Sequence, residues 1–283
     1  MKTAFLIINY NDAITTKKLL NSIESYSFID MIVVVDNAST DNSFEILKEY
    51  EKTEHFYILK SDKNGGYGYG INYGSKYIID ILGDCRIIVS NSDIEIKNEQ
   101  ILISILDDFP DNAGIIAPIV KEKKGLNRGW KIPTPFQDGL LNLVFIHRIL
   151  RSKLLLYPDI MYHDKLVEVE AVSGSFFIID SNALIEADFY DENVFLYYEE
   201  NIIGKKMKKL GKKTYVNTEQ EVFHNHSVSI DKSIDKINKY RELKKSQLYF
   251  QCEYNHAGIM SRLFLKVTEK FSLFILRIVY HFK

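Results

Sequence analysis

A chain of 283 residues that is 46% hydrophobic can bury a sizeable core, as one large domain or two small ones. Its net charge of −2 argues against a general nucleic-acid binder. Two cysteines, Cys85 and Cys252, supply neither a disulfide framework nor a metal-binding spacing, which fits a reducing compartment.

The first apolar run, AFLII at 4–8, is too short for a signal peptide and reads as a strand. Ile14, Leu19, Leu20 and Ile23 recur at helical spacing over 14–25, and MIVVV at 31–35 is a second strand ending on Asp36. NASTDNS then offers N-cap residues to a helix running to about Tyr50. A third strand at 56–59, a helix at about 68–82 and a fourth strand at 85–90 follow. Strands alternating with helices predict an α/β domain with a mostly parallel sheet. Polar residues gather where strands end: Asn9, Tyr10 and Asn11 after the first, Asp36 and Asn37 after the second, Asp93 after the fourth. Such clusters predict a ligand edge at the carboxyl ends of the strands.

The loop NGGYGYGINYG at 64–74 fits no G-x-G-x-x-G register and lies in the third βα unit, so it is not a dinucleotide fingerprint. Its glycines serve either a close backbone approach to a phosphate or sugar, or helix packing. In IIVSNSDIEI at 87–96, Asp93 ends a buried strand beside Asn91 and Ser92. It can hold one side of a hard divalent cation whose other side is held by a diphosphate; the plain alternative is a polar turn.

Further on, a helix at 98–109 stops at Phe109-Pro110, and 114–119 is a strand. Residues 120–165 read as an irregular, basic segment containing Trp130, Pro133 and Pro135. Such an insertion is a solvated loop, or it reads a second substrate. Strand-like VEVEAV and SFFII flank Ser173-Gly174-Ser175, a helix follows at about 199–210, and a strand at 213–217. Glu199 and Glu200 open that helix, as dipole partners or as a working acid pair. FHNHSVS at 223–229 sets His224 and His226 two apart, a weak metal signal by itself. No uninterrupted apolar stretch approaches the roughly 18 residues of a membrane span, so the chain is soluble or lies on a membrane without crossing it. Beyond 256, Arg262, Lys266, Lys270 and Arg277 fall within an arc of about 80°. Leu263, Phe264, Val267, Phe271, Phe274, Ile275 and Ile278 fill the opposite side. That pattern predicts an interfacial helix drawn to anionic lipid, or else one docked on its own domain or in a homodimer.

Taken in order, seven motifs resemble the family 2 glycosyltransferases of the GT-A fold, especially the bacterial rhamnosyltransferase-like branch. They are INYND at 8–12, VVVDNASTDNS at 33–43, NGGYGYGINYG at 64–74, SNSD at 90–93, VSGSFF at 172–177, YYEENIIGKKMKKLG at 197–211 and HNHS at 224–227. The resemblance covers roughly residues 3 to 250. It implies a GT-A domain over 1–230, with a nucleotide-sugar half to about 97 and an acceptor half from about 98, followed by a helical extension over 231–283. Asp36 takes the place of the acid that bonds the nucleotide base, with Asn9, Tyr10 and Asn11 beside it. Asn64, Gly66, Tyr67 and Asn72 of the glycine loop, with Asn91 and Ser92, line the nucleotide sugar, and Gly174 passes it.

Asp93 matches the last acid of the metal motif, for Mg²⁺ or Mn²⁺, and Asn91 replaces the first. His224 matches a late histidine that helps hold metal or diphosphate, with His226 the fallback. Glu200 stands at the catalytic base, preceded by Glu199; Ile202 and Lys206 replace a second acid and an arginine. One base without a covalent nucleophile implies single displacement with inversion. The implied donor is a UDP- or dTDP-sugar, dTDP-rhamnose among the candidates. The implied acceptor is a lipid-linked glycan of a bacterial surface polysaccharide, capsule or O-antigen, at the inner face of the plasma membrane. A sugar-nucleotide nucleotidyltransferase is a weaker fit, because the first loop, NYNDAITT, lacks the glycines and arginine of that class. A sugar-nucleotide-binding protein without transferase activity is the other alternative.

Overall fold

A computed structural model describes residues 1–52, 55–123, 125–225 and 236–281. The continuous apolar runs are strands buried on both faces, as parallel sheets demand. β1 (Lys2–Asn9) lies between β2 (Met31–Asp36) and β4 (Cys85–Asn91), parallel to both, and β3 (Phe56–Lys60) extends the sheet beyond β2. Ala4, Leu6 and Ile8 face one core layer with Val33, Val35 and Ile71. Phe5 and Ile7 face the other, with Leu20, Val34 and Leu102. Helices α1 (Ala13–Ile23), α2 (Ser43–Lys48) and α3 (Tyr67–Leu82) connect these strands.

α3 comes close to the sheet. A Cβ added at Gly74 would lie 2.3 Å from Leu6 Cδ1, and one at Gly70 would lie 3.0 Å from Ile8 Cγ2. Those two glycines of the 64–74 loop therefore serve helix packing.

Beyond β5 (Ile94–Glu95) and α4 (Gln100–Asp107) the sheet becomes mixed. β6 (Ala113–Glu122) and β9 (Phe176–Asp180) join it, and β9 runs antiparallel to both β4 and β6. β10 (Lys213–His224) runs parallel to β6 and antiparallel to β5 and to β8 (Leu166–Val169). The order β3-β2-β1-β4-β9-β6-β10-β5 forms one sheet, with β7 (Gly125–Asn127) and β8 off that path. The strand expected to stop at 217 runs on to His224 across a register shift between Asn217 and Glu221.

The segment expected to be irregular holds two helices, α5 (Pro135–Leu141) and α6 (Val144–Leu155). α5 starts with a capping box. Thr134 Oγ1 accepts from Gln137 N at 3.3 Å, and Thr134 N donates to Gln137 Oε1 at 2.9 Å, with Pro135 at the first turn. α7 (Ser181–Glu186) and α8 (Glu199–Lys209) follow, then α9 (Lys236–Glu253) and α10 (Ile259–His281).

α10 packs on α5. Its docked face differs from the apolar side read from the sequence. Leu265, Thr268 and Ser272 are buried, whereas Val267, Phe271 and Phe274 are 53–61% exposed. Polar residues can sit on the buried side because Asn142 receives them: its Nδ2 donates to Thr268 Oγ1 at 3.0 Å, and Ser272 Oγ donates to its carbonyl. No described helix is long and apolar enough to cross a membrane.

Candidate active site

The carboxyl ends of β1 and β2 are tied together by their own polar residues. Asp36 is fully buried and accepts from Asn9 Nδ2 and from Ser39 N, each at 2.9 Å. Thr16 Oγ1 donates to Asn9 Oδ1 at 2.8 Å. Asn11, in the left-handed region at φ 53°, accepts from Thr40 N at 2.8 Å and donates its own N–H to Ser39 Oγ at 2.9 Å. Tyr10 sits half-buried between them. Asn9, Asn11 and Asp36 thus shape this edge by bonding one another's loops.

The glycine loop is anchored from two sides. Asn37 Nδ2 donates to Gly66 O at 2.9 Å and to Asn64 Oδ1 at 3.2 Å. Gly66 has φ +97°, and a Cβ there would lie 2.1 Å from Phe195 O, so both conformation and space require glycine. Tyr67 N donates to Phe195 O at 3.0 Å, and its hydroxyl donates to Gly174 O at 2.7 Å. Asn72 was expected to face the donor. Its amide instead donates to Tyr190 O at 2.9 Å and Glu192 Oε1 at 2.8 Å and accepts from Tyr190 N at 2.8 Å. With both N–H groups engaged and 2% exposure, it ties α3 to the loop before α8.

At the end of β4, Asn91 N donates to Ser175 O at 2.8 Å, fixing the SNSD turn against the Gly174 segment, with Ser92 buried beside it. The extension of β10 brings His224 opposite Ile94, and its Nε2 lies 3.2 Å from Asp93 Oδ1. Its Nδ1 lies 3.6 Å from Glu122 Oε1 at the end of β6. Burial opposes charging this imidazole, but Asp93 and then Glu122 overcome it and the pKa is raised. A carboxylate oxygen and an imidazole nitrogen, the latter backed by a second carboxylate, fit Mg²⁺ or Mn²⁺ in donor type. Among the described residues no group of three or more His, Cys, Asp or Glu side chains could hold a metal ion. The pair therefore fits a cation whose remaining ligands come from diphosphate and water. His226 lies outside the described residues.

Across the edge stands the acid pair. Tyr197 and Tyr198 both have φ +69°, a conformation costly for aromatic residues, and α8 starts immediately after them. Glu199 is 6% exposed, and its Oε2 finds no hydrogen-bond partner among the described residues. Burial, and then Glu200, push its carboxyl well above the ordinary range. Glu200 is less enclosed; burial raises it too, while its Oε1 lies 3.4 Å from Gly174 N. Tyr67 links the two sides. Its hydroxyl is pushed far up by burial and then by Glu199, Glu200 and Asp93.

Residues 4–179 match the family model for glycosyl transferase family 2. The chain belongs to that family. Among curated relatives of this family 2 chain is the low-salt glycan biosynthesis hexosyltransferase Agl10 of Haloferax volcanii, 28% identical over 197 residues; the match covers 70% of this chain and 58% of Agl10. The uncharacterized protein MJ0544 of Methanocaldococcus jannaschii is 27% identical over 79% of this chain and 90% of its own length. Among solved structures, the mannosyltransferase PcManGT of Pyrobaculum calidifontis, in complex with GDP-Man and Mn²⁺, superposes with a TM-score of 0.61 at 11% identity, covering 96% of this chain and 72% of that one. GalNAc-T7 with UDP, GalNAc and Mn²⁺ gives 0.59 at 18% identity, over 80% of this chain and 44% of that one. S. aureus TarS 1–349 with UDP-GlcNAc gives 0.58 at 17% identity, over 94% and 70%. The fold is GT-A.

Beneath the acid pair of this family 2 chain lies a polar network that the sequence did not announce. Asp138 on α5, 3% exposed, accepts from Tyr198 Oη at 2.8 Å and from Gln251 Nε2. Gln247 Nε2 donates to Tyr198 Oη at 3.0 Å, and Lys244 Nζ donates to Gln247 Oε1 at 3.3 Å. Burial pushes Asp138 up to about 6 and Lys244 down to about 8. Helices α5 and α9 therefore hold the strained turn that aims Glu199 and Glu200. Lys206 donates to Phe189 O at 2.7 Å. Ile202 is fully buried with Val194 and Phe250.

Proposed function

We propose that this family 2 chain transfers a sugar from a nucleoside diphosphate donor to an acceptor hydroxyl with inversion, Glu200 acting as general base. The observation that carries this reading is the meeting of two chemistries around Tyr67, whose hydroxyl bonds Gly174 O and feels both the acid pair and Asp93, itself paired with His224. Glu199 and Glu200 share a buried environment that raises both carboxyls, Glu199 the more strongly. In this reading the pair shares its proton on Glu199 and Glu200 carries the charge. A carboxylate raised above its ordinary value accepts a proton from a hydroxyl more readily than an ordinary glutamate. Its distance of 3.4 Å from Gly174 N leaves that oxygen only weakly bonded and available to an acceptor. Tyr67 fixes the Gly174 backbone from below.

Asp93 and His224, with Glu122 behind the imidazole, would hold a Mg²⁺ or Mn²⁺ ion, which when bound neutralises charge developing on the leaving diphosphate. The nucleoside would lie along the edge formed by Tyr10, Asn11 and Asp36 in the half before about residue 97, and the acceptor over the half beyond it. The extension over 231–283 would brace the base through Lys244, Gln247 and Gln251. A uridine or thymidine donor is the one the motif resemblance implies, with dTDP-rhamnose among the candidate donors. UDP and UDP-GlcNAc in TarS and hexosyl transfer by Agl10 support the wider class of donor. We place the acceptor on a lipid-linked surface glycan at the inner face of the plasma membrane. Incubating the chain with a panel of nucleoside diphosphate sugars and a lipid-linked glycan acceptor tests this. The expected result is a glycoside of inverted anomeric configuration from one UDP- or dTDP-sugar. Retention of configuration, or binding of donors without transfer, would overturn the reading.

A further inference from the structure

Two helices present apolar residues that the protein does not cover. In α10, at about 100° per residue, Leu263, Val267, Phe271, Phe274 and Ile278 form one stripe, separate from the docked face of Leu265, Thr268 and Ser272. Phe271 is 53% exposed and Phe274 61%. Isolated exposed apolar residues are ordinary; a row of aromatic and aliphatic side chains along one helix is not. Next to this stripe runs the basic one, Arg262, Lys266, Lys270 and Arg277, all exposed.

The second helix is α6, which has no buried residue over its 12 positions. Phe145 is 77% exposed and Ile149 67%. It carries Arg148, Arg151 and Lys153 and no acidic residue. α5 packs against both α6 and α10, and its Phe136, 61% exposed, stacks on Phe264 of α10 with ring centroids 5.4 Å apart. The three helices therefore form one continuous region of the surface.

We propose that α6 and α10, joined through α5, form a membrane-docking surface for an anionic lipid bilayer, with both helices lying on the bilayer without crossing it. Charge selects this occupant. The two helices carry seven Lys and Arg against one acid, Glu269, in a chain whose net charge is −2. Basic residues flanking an apolar face match lipid phosphates and acyl chains together. In a two-fold dimer built on the same region, these like charges would face one another, and the core of such an interface is normally depleted of charge. The location also has a consequence. α5 carries Asp138, whose bond to Tyr198 reaches the start of α8, so a bilayer held here sits two bonded elements from the acid pair. The proposal extends the reading of a lipid-linked acceptor, and its test requires neither donor nor acceptor.

The test is co-sedimentation of the full chain with vesicles of phosphatidylcholine alone or mixed with phosphatidylglycerol, across a salt series. Binding is expected only to the mixed vesicles and should weaken with salt. The paired substitutions Phe145→Ser with Ile149→Ser, Phe271→Ser with Phe274→Ser, and Lys266→Glu with Lys270→Glu should each lower partitioning by about tenfold or more. Melting temperature should hold at the wild-type value, because all six side chains are exposed. If the wild type ignores anionic vesicles, the proposal fails whatever the transferase does. It also fails if the α6 pair binds like the wild type, or if the substitutions dissolve a dimer while leaving vesicle binding intact.

Discussion

Asp138→Asn isolates the electrostatic cost of the network under the acid pair. The Asp138 carboxyl is raised to about 6 by burial, against 3.8 for the free side chain. A group whose folded pKa is raised binds its proton more tightly when folded. Its contribution to stability is thus fully present below pH 4 and is lost as pH rises through 6. Integrating between those two values, the wild type should lose about 1.3 kcal/mol between pH 5 and pH 7 through this carboxyl alone. Lys244, lowered to about 8, stays protonated across that window and adds nothing to the slope. Asparagine keeps the shape and the neutral state but cannot titrate. Urea unfolding of wild type and Asp138→Asn at half-unit steps of pH gives the difference directly, free of every group the two proteins share. The difference should move by about 1 kcal/mol in favour of the variant as pH rises from 5 to 7. A flat difference, or one moving the other way, would mean that Asp138 is ionised in the fold at all these pH values and that the network is a true ion pair.

Gly66→Ala should destabilise the chain by at least about 2 kcal/mol in a urea titration, because its φ of +97° and the 2.1 Å approach to Phe195 O admit no side chain. Donor-dependent turnover should fall with it, since the same loop carries Tyr67. Affinity for Mn²⁺ in the presence of UDP, followed by calorimetry, should fall as pH drops through the raised pKa of His224, because a protonated imidazole cannot ligate. A pH-independent affinity would remove His224 from the ligands.

The four parallel strands were legible because burial on both faces turns them into unbroken apolar runs, and the strand-end polar residues Asn9, Asp36 and Asn37 bond one another across the carboxyl edge. Chemistry alone could not separate binding from bracing. Asn72 is the residue type a sugar or base would recruit, yet its amide is spent on Tyr190 and Glu192. The reach of β10 to His224 was hidden by the irregularity between Asn217 and Glu221, where polar residues interrupt the strand pattern. α6 was read as loop because its apolar and basic residues interleave and no face of it enters a core. In α10 the apolar stripe was legible but the docked face was not, since Thr268 and Ser272 dock through Asn142, a partner more than a hundred positions away.

Single-turnover transfer by Glu200→Gln and Glu199→Gln, measured beside donor affinity, tests the central claim most directly. Glutamine at 200 preserves shape and removes the proton acceptor, so transfer should slow by roughly 10²–10⁴-fold with donor affinity near wild type, while Glu199→Gln, replacing the side chain assigned the proton, should retain most of its rate. The reverse pattern would contradict the assignment of Glu200 as the base.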